Sequence, residues 1–508
     1  MIPAALAAAL VAALVLAPLG AVVLRAGGLS ALGPGDWAAL WFTLWQAALS
    51  ATLSCLIAVP LARALFRRRF PGRGAIISAL GAPFLLPTLV AIIGLVAIFG
   101  RQGVVNGALA ALGLPGVLLY GPQGVIVAHL FFNLPLATRM VLLGWQGIPA
   151  ERFRLALSLG LGGAEMSRHL ERPMLRAVLP GAFVAIFLVC LGSFAVPLSL
   201  GGGPRATTLE VAIYQAFRFD ADLGRAATLA LMQVGLALGA LALAMRVTAP
   251  PVFGAGLDRR AIGPALAPGR GARGADALVL GLAGLFLLAP LLAVAARGLP
   301  AVFALPAPVW QAAAVSAALA LCATALMLVL ALPLALATPR RRLAGVAGML
   351  PLSVSALVLG TGLFLLLRPL APPGVLALPV TALTNAALSL PFALRLLAPE
   401  VARIEAEYGR LAASLNLTGL ARLRYLSLPR LARSLGFAAG LSAAFSIGDL
   451  GAMALLSDGR LQTLPLALYQ LMGAYRMEAA AGAACLLMAL AFALYALFDR
   501  IGQHADPR

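Results

Sequence analysis

Side chains able to do chemistry are few in this sequence, and they are placed unevenly. One acid, Asp449, stands inside an apolar run, in the hexapeptide SIGDLG. Holding an ionised carboxylate in hydrocarbon is costly, so an acid there points by default to function. It could favour a cationic solute, or answer a structural partner such as an arginine of the outer rim or a backbone amide near Gly448. Ser193 holds the matching position in the first half of the chain. A second group is basic and occurs twice. RLALSLGLGGAEMSRHLERP begins at Arg154 and RLAASLNLTGLARLRYLSLP at Arg410, with ten of twenty positions identical at an ungapped offset of 256. Such a segment is too polar to bury and too apolar to leave in water. It suits an amphipathic helix on an anionic lipid surface. Its recurrence favours two equivalent protein partners or one symmetric partner.

Other chemistries find no support. His129, His169 and His504 are scattered, and Cys55, Cys190, Cys322 and Cys485 lie in apolar runs without a C-x-x-C pair, so neither a metal cage nor a disulfide framework is expected. The sequence contains no lysine, which rules out a P-loop, whose lysine must reach the β- and γ-phosphates. An ion-coupled carrier needs ionisable groups within its spans, and Asp449 is the one clear candidate. No catalytic residue and no cofactor of its own is expected.

The elements that must position these residues are written in the composition. The 508 residues are 62% hydrophobic and only 11% charged, with mean hydropathy +1.01. Apolar runs of about 20 residues, the length that crosses ~30 Å of hydrocarbon, recur throughout. The expected fold is all-α and polytopic, with twelve spans near 4–25, 39–64, 75–99, 122–144, 179–200, 226–247, 276–296, 309–337, 344–367, 377–398, 434–455 and 478–498. The apolar N-terminus lacks a basic lead and reads as an uncleaved first span.

The net charge of +20 is carried by arginine clusters between spans, which argues for membrane topology rather than nucleic-acid binding. Placing the even-to-odd connections and both repeated segments in the cytoplasm collects 28 arginines and 10 acids there, against 9 and 6 outside. The positive-inside rule then puts both termini in the cytoplasm of a bacterial inner membrane.

The duplication extends further. LPLATR (134–139) matches LPFALR (390–395), LGSFA (191–195) matches IGDLG (447–451), and TLEVAIYQ (208–215) resembles TLPLALYQ (463–470). Two parallel six-helix repeats are expected, 1–247 and 276–508, joined by a Pro-, Gly- and Arg-rich cytoplasmic linker at 248–275. A pathway should lie where the halves meet. Arg139 and Arg395 hold equivalent positions near the inner ends of their spans and suit orientation by the positive-inside rule.

Each repeated segment reads as helix, turn and short helix. Gly160 and Asn416 mark the turn, both tolerant of the left-handed conformation of a helix C-cap. Pro173 and Pro429 close the segments before the next span. The pattern resembles the cytoplasmic loop of ABC-importer permeases: E-A-A, three residues, G, nine residues, I-x-L-P. Arg154-Leu155-Ala156, Gly160, Leu170 and Arg172-Pro173 take those places first. Arg410-Leu411-Ala412, Asn416, Leu426 and Leu428-Pro429 take them second. The leading Glu is Arg in both copies, and the second copy lacks the Gly.

With LARALFRRRFPGR (61–73), FGRQG (99–103), FFNLP (131–135) and SLGGGPRATTLEVAIYQAF (199–217), the chain is similar to the fused, double-length permeases of bacterial thiamine and thiamine-pyrophosphate importers. Fused ferric-iron permeases share the plan, and an ion-coupled carrier is a more distant alternative. The resemblance implies a type I ABC importer permease-like fold. It implies coupling loops at 150–178 and 402–433, with coupling helices at 161–171 and 417–427 entering two copies of a cytoplasmic ATP-binding subunit that uses ATP and Mg. The residues implicated are Arg154, Ala156, Gly160, Gly163, Arg168 and Pro173, and Arg410, Ala412, Asn416, Gly419, Arg424 and Pro429. It also implies a periplasmic thiamine-binding protein docking at an outer gate that includes Gly201, Gly202, Gly203, Tyr214 and Tyr469. The two tyrosines suit an outer interfacial belt.

Overall fold

Backbone amides cannot be left unbonded in hydrocarbon, so apolar runs of this length fold as helices. In the computed structural model, which describes residues 3–26, 32–80, 86–247, 270–339, 341–459 and 461–504, they do so almost without interruption. The first series is α1 Ala4–Ala26, α2 Pro34–Arg67, α3 Arg73–Ala79, α4 Thr88–Phe99, α5 Val104–Ala111, α6 Pro122–Gln146, α7 Ala150–Ser158, α8 Gly163–Met166, α9 Arg172–Leu191, α10 Ala195–Leu200, α11 Leu209–Arg218 and α12 Leu223–Val247. The second is α13 Arg270–Val302, α14 Ala307–Ala337, α15 Arg342–Met349, α16 Ala356–Leu367, α17 Pro373–Ser414, α18 Gly419–Arg422, α19 Leu428–Gly448, α20 Gly451–Leu456, α21 Leu464–Gly473 and α22 Met477–His504. Among the described residues eleven helices are long and apolar enough to span, and twelve when α15 and α16, bent by 97°, count as one. The chain is an all-α multi-pass membrane protein.

From α8 to α10 every element recurs in α18 to α20 with its start displaced by 256 residues. A π-helical turn recurs with them, at Ser167–Glu171 and Leu423–Ser427. It has a local cause. Pro173 and Pro429 lack the N–H that the carbonyl four residues earlier would need. Just ahead of each proline the ladder widens to i→i−5, with Arg172 N–H bonding Ser167 O and Leu428 N–H bonding Leu423 O. The prolines therefore do not end the segments, as the sequence suggests. Each short helix runs on through the π turn into the next span, without interruption over 163–191 and 419–448.

The two series differ upstream. α6 stops at Gly147, and Pro149 caps α7, whereas α17 continues unbroken for 42 residues. Helix-forming Arg403 and Glu405 stand where Gly147 and Pro149 do. Arg403 is paired to Glu400 and Glu407, three and four residues away. The loop expected over 402–433 thus begins inside a helix. The linker expected at 248–275 falls largely outside the described residues, and its last six residues are already α13.

Each series lends its first helix to the other. α1 packs on α16, and α13 packs on α4. The seats are glycines: a Cβ on Gly94 of α4 would stand 2.5 Å from Pro290 O of α13, and one on Gly362 of α16 would stand 2.5 Å from Pro18 O of α1. Small residues let helix backbones approach this closely in membranes.

Candidate functional site

Spans five and eleven, expected to be continuous, are broken. α9 ends at Leu191 and α10 starts at Ala195, with Gly192, Ser193 and Phe194 between; α19 ends at Gly448 and α20 starts at Gly451, with Asp449 and Leu450 between. A break frees carbonyls that hydrocarbon cannot satisfy, and side-chain amides from neighbouring helices supply the donors. Gln46 of α2 donates Nε2–H to Cys190 O at 3.1 Å, and Gln233 of α12 donates to Leu191 O at 2.8 Å. Asn133 of α6 reaches Cys190 Sγ at 3.2 Å, and Asn385 of α17 donates to Ser446 Oγ at 3.0 Å. Cys190 and Ser446 are themselves 256 residues apart.

Both breaks open on one cavity of about 330 Å³. Ser193 and Asp449 line it together. They are joined by His129, Asn133 and the aromatic rings of Phe132, Phe194 and Phe445, and its wall is drawn from both series. Asp449 Oδ1 accepts the Gly451 N–H at 3.2 Å, which caps α20, while Oδ2 is buried without a hydrogen-bond partner among the described residues. Among the described residues no arginine lines the cavity. Chemically this is a small chamber lined by aromatic rings with a carboxylate oxygen still able to accept, suited to a planar cation.

Far from that chamber lie two copies of one exposed turn. After α7, Gly160 adopts φ +68°, its N–H bonds Leu157 O at 3.0 Å, and Leu161 N–H bonds Ala156 O at 3.0 Å. After α17, Asn416 adopts φ +52°, its N–H bonds Ala413 O at 3.1 Å, and Leu417 N–H bonds Ala412 O at 2.8 Å. Both are Schellman closures, for which the left-handed residue is required. Gly419 also takes positive φ, +55°.

Ala156 and Ala412 are buried beneath the turns. Arg154, Gly160, Gly163, Arg168 and Pro173 are exposed, as are Arg410, Asn416, Gly419 and Arg424, with Pro429 half-buried. Leu155 and Leu159 of the first copy are 60% and 66% exposed; Leu411 and Leu415 of the second are 55% and 62% exposed. Leucines that project beside arginines in both copies form paired apolar and basic surfaces of the kind that mark interaction sites.

The copies are braced differently. Glu171 pairs with Arg63 at 2.8 Å and Arg67 at 3.5 Å on α2, whereas Arg422 of α18 pairs with Glu405 of α17. Arg139 and Arg395 are exposed.

A third pair of features surrounds α11 and α21. The first amide of each short helix has no intrahelical acceptor, and a hydroxyl of a neighbouring span receives it. Leu209 N–H donates to Thr43 Oγ1 at 2.9 Å, and Leu464 N–H donates to Ser316 Oγ at 2.7 Å. Tyr214 on α11 and Tyr469 on α21 are close enough to interact electrostatically. Tyr214 is only 8% exposed, packed edge-on against Phe194 and Phe219, so it belongs to the interior and not to a lipid-facing belt. Tyr469 is half-buried.

Before α11 the chain makes a backbone turn that requires its glycines. A Cβ on Gly201 would lie 2.4 Å from Pro197 O, and Gly202 and Gly203 have φ +69° and +133°. Sequence reasoning missed Thr43, Gln46, Gln233, Ser316, Asn133 and Asn385. Their signal is a lone polar residue in an apolar run, which does not reveal its partner.

No protein-family model matches this chain. Individual relatives do. The thiamine transport system permease protein ThiP of Salmonella typhimurium is 39% identical over 471 residues, covering 88% of this chain and 86% of that protein. ThiP of Escherichia coli is 38% identical over 504 residues, covering 92% and 91%, and ThiP of Haemophilus influenzae is 33% identical over 452 residues, covering 86% and 83%.

Proposed function

The chain belongs to the thiamine transport system permeases, and from that membership we propose that it is the membrane subunit of an ATP-driven importer of thiamine and its phosphates. Two halves, 1–247 and 276–508, joined by the linker at 248–275, would enclose one pathway in the bacterial inner membrane, with both termini cytoplasmic. The observation that carries this reading is the pair of equivalent exposed turns, each presenting two leucines and flanking arginines at an offset of 256 residues. Two equivalent docking surfaces fit two copies of one ATP-binding subunit, which would supply the ATP and Mg chemistry. The short helices 161–171 and 417–427 would be the inserted parts. Each runs without interruption into a broken span, so closure of the ATP-binding subunits is delivered as movement of α9 and α19, whose far ends wall the cavity.

In the cavity Asp449 offers a carboxylate oxygen to the thiazolium charge, and Phe132, Phe194 and Phe445 offer faces to its rings. Ser193 lines the opposite break. Thiamine-binding protein in the periplasm would deliver the solute above α11 and α21, with Gly201–Gly203, Tyr214 and Tyr469 in the gate.

The experiment is ATPase activity in proteoliposomes that contain this chain and its ATP-binding subunit, with thiamine-loaded binding protein outside. Stimulation is expected, and Gly160→Pro with Asn416→Pro should abolish it. Proline cannot take φ near +60° and has no N–H for the closing bond. Stimulation by an iron-loaded binding protein would move the substrate and keep the mechanism. Absence of stimulation by any loaded binding protein, with an intact ATPase, would refute the importer reading.

A further inference from the structure

A second cavity, larger than the one between the broken spans, lies elsewhere among the described residues. It is a cleft of about 860 Å³ between α2 and α13, closed at its sides by α3, α6 and α22. Two chemistries divide it. Its length is apolar, with Leu61 and Leu65 from α2, Leu280, Leu287 and Leu291 from α13, and Phe131 from α6. Its end is cationic, with Arg67, Arg68, Arg69 and Arg273 all lining it.

Among the described residues only part of that charge is answered. Glu171 takes Arg67 and Arg63, and Asp276 takes Arg68 at 2.6 Å. Among the described residues the four lining guanidiniums therefore have two carboxylates, one of them shared with Arg63. The Arg67 side chain is 90% buried, yet its Nε has no acceptor, and neither has Arg68 Nη2, among the described residues. A buried donor without an acceptor is costly, and a guanidinium is matched best by a carboxylate or phosphate.

We propose that this cleft holds one anionic diacyl phospholipid, its phosphate among Arg67, Arg68, Arg69 and Arg273 and its acyl chains between α2 and α13. The charge selects an anion, and the apolar length selects one that carries hydrocarbon, which a free phosphate does not. Basic pockets between spans at the membrane surface hold anionic headgroups by this combination. The lipid would sit between the second helix of one half and the first helix of the other, bridging them. Nothing in the transport reading requires it, and either can fail alone.

The test is native mass spectrometry of the full chain, delipidated in detergent and titrated with phosphatidylglycerol or phosphatidylethanolamine. Phosphatidylglycerol should bind one to one and in preference. Arg69→Gln with Arg273→Gln spares the residues paired to Glu171 and Asp276, and both side chains are exposed, so folding is preserved. That variant should weaken binding roughly thirty-fold, about five-fold for each arginine.

Gly284 lines the cleft, and a Cβ there meets nothing within 4 Å. Gly284→Leu should therefore expel the acyl chain while leaving the arginines intact. Equal binding of the two lipids, wild-type binding by either variant, displacement by millimolar inorganic phosphate, or no retained lipid would each overturn the proposal.

Discussion

Thr43 and Ser316 hold the first amides of α11 and α21, and Thr43→Val isolates that function from shape. Valine reproduces the branched outline but accepts no hydrogen bond. In the wild type Thr43 Oγ1 donates to Ala39 O at 2.7 Å and accepts from Leu209 N–H at 2.9 Å, with no part of the residue exposed. The substitution strands one buried backbone amide at a helix start where no intrahelical acceptor exists. Stranding a buried donor costs about 1–3 kcal/mol. If the cost falls on local opening of α11, amide exchange there should accelerate about 5- to 150-fold. Hydrogen-exchange mass spectrometry of the full chain in nanodiscs, followed on peptides covering 205–218, reads this directly. Thr43→Ser keeps the hydroxyl and should exchange as wild type. Ser316→Ala should loosen α21 at 464–473 and leave α11 unchanged. Unaltered protection of α11 in Thr43→Val, or a loss spread evenly over the chain, would refute the idea that these hydroxyls pin the two helices separately.

Two further outcomes follow from the acids Asp449 and Glu210. Asp449→Asn keeps a side chain that can still accept the Gly451 amide but removes the charge facing the cavity, so the KM for uptake of radiolabelled thiamine should rise about tenfold or more; an unchanged KM would remove Asp449 from the pathway. Burial pushes Glu210, near the start of α11, up to about 8 from an ordinary 4.5, opposed by a hydrogen bond from Ser355. Because its folded value lies above its unfolded one, the stability it contributes is complete below about 4.5 and is lost as pH rises through about 8. Glu210→Gln should flatten that loss, and melting temperatures of the two proteins that stay parallel from pH 5 to pH 9 would contradict the assignment.

Much of this architecture is legible in the residues themselves, because hydrocarbon permits so few solutions. Apolar length gives the spans, and the residue types at 160 and 416 give the left-handed turns. What escapes is set by partners distant in the chain. Nothing near Leu191 announces that its carbonyl will be met by Gln233, and without that amide the break at 192–194 has no reason to be read as stable. Pro173 and Pro429 mislead for a related reason. A proline ends a helix only if the ladder cannot adjust, and here one π turn absorbs the lost N–H. The 42-residue α17 escapes because its continuity past residue 402 rests on short-range ion pairs around Arg403, a surface signal that apolar periodicity does not carry. The meeting of Ser193 and Asp449 in one chamber follows from the repeat, whereas the aromatic and polar residues around them come from folding alone.

The exchange of first helices between the two series sets a schedule for synthesis. Gly94 leaves the ribosome 196 residues before Pro290, the carbonyl that must cover it. At about 5–20 residues per second that interval is roughly 10–40 s, during which α4 is in the bilayer without its packing partner. The converse wait is absent, since α1 is complete long before α16 arrives to receive it. The first half therefore cannot reach its final packing until the second has begun to insert. A halted or truncated chain exposes a vacant glycine seat within the membrane, where quality-control proteases that survey unpaired helices would find it.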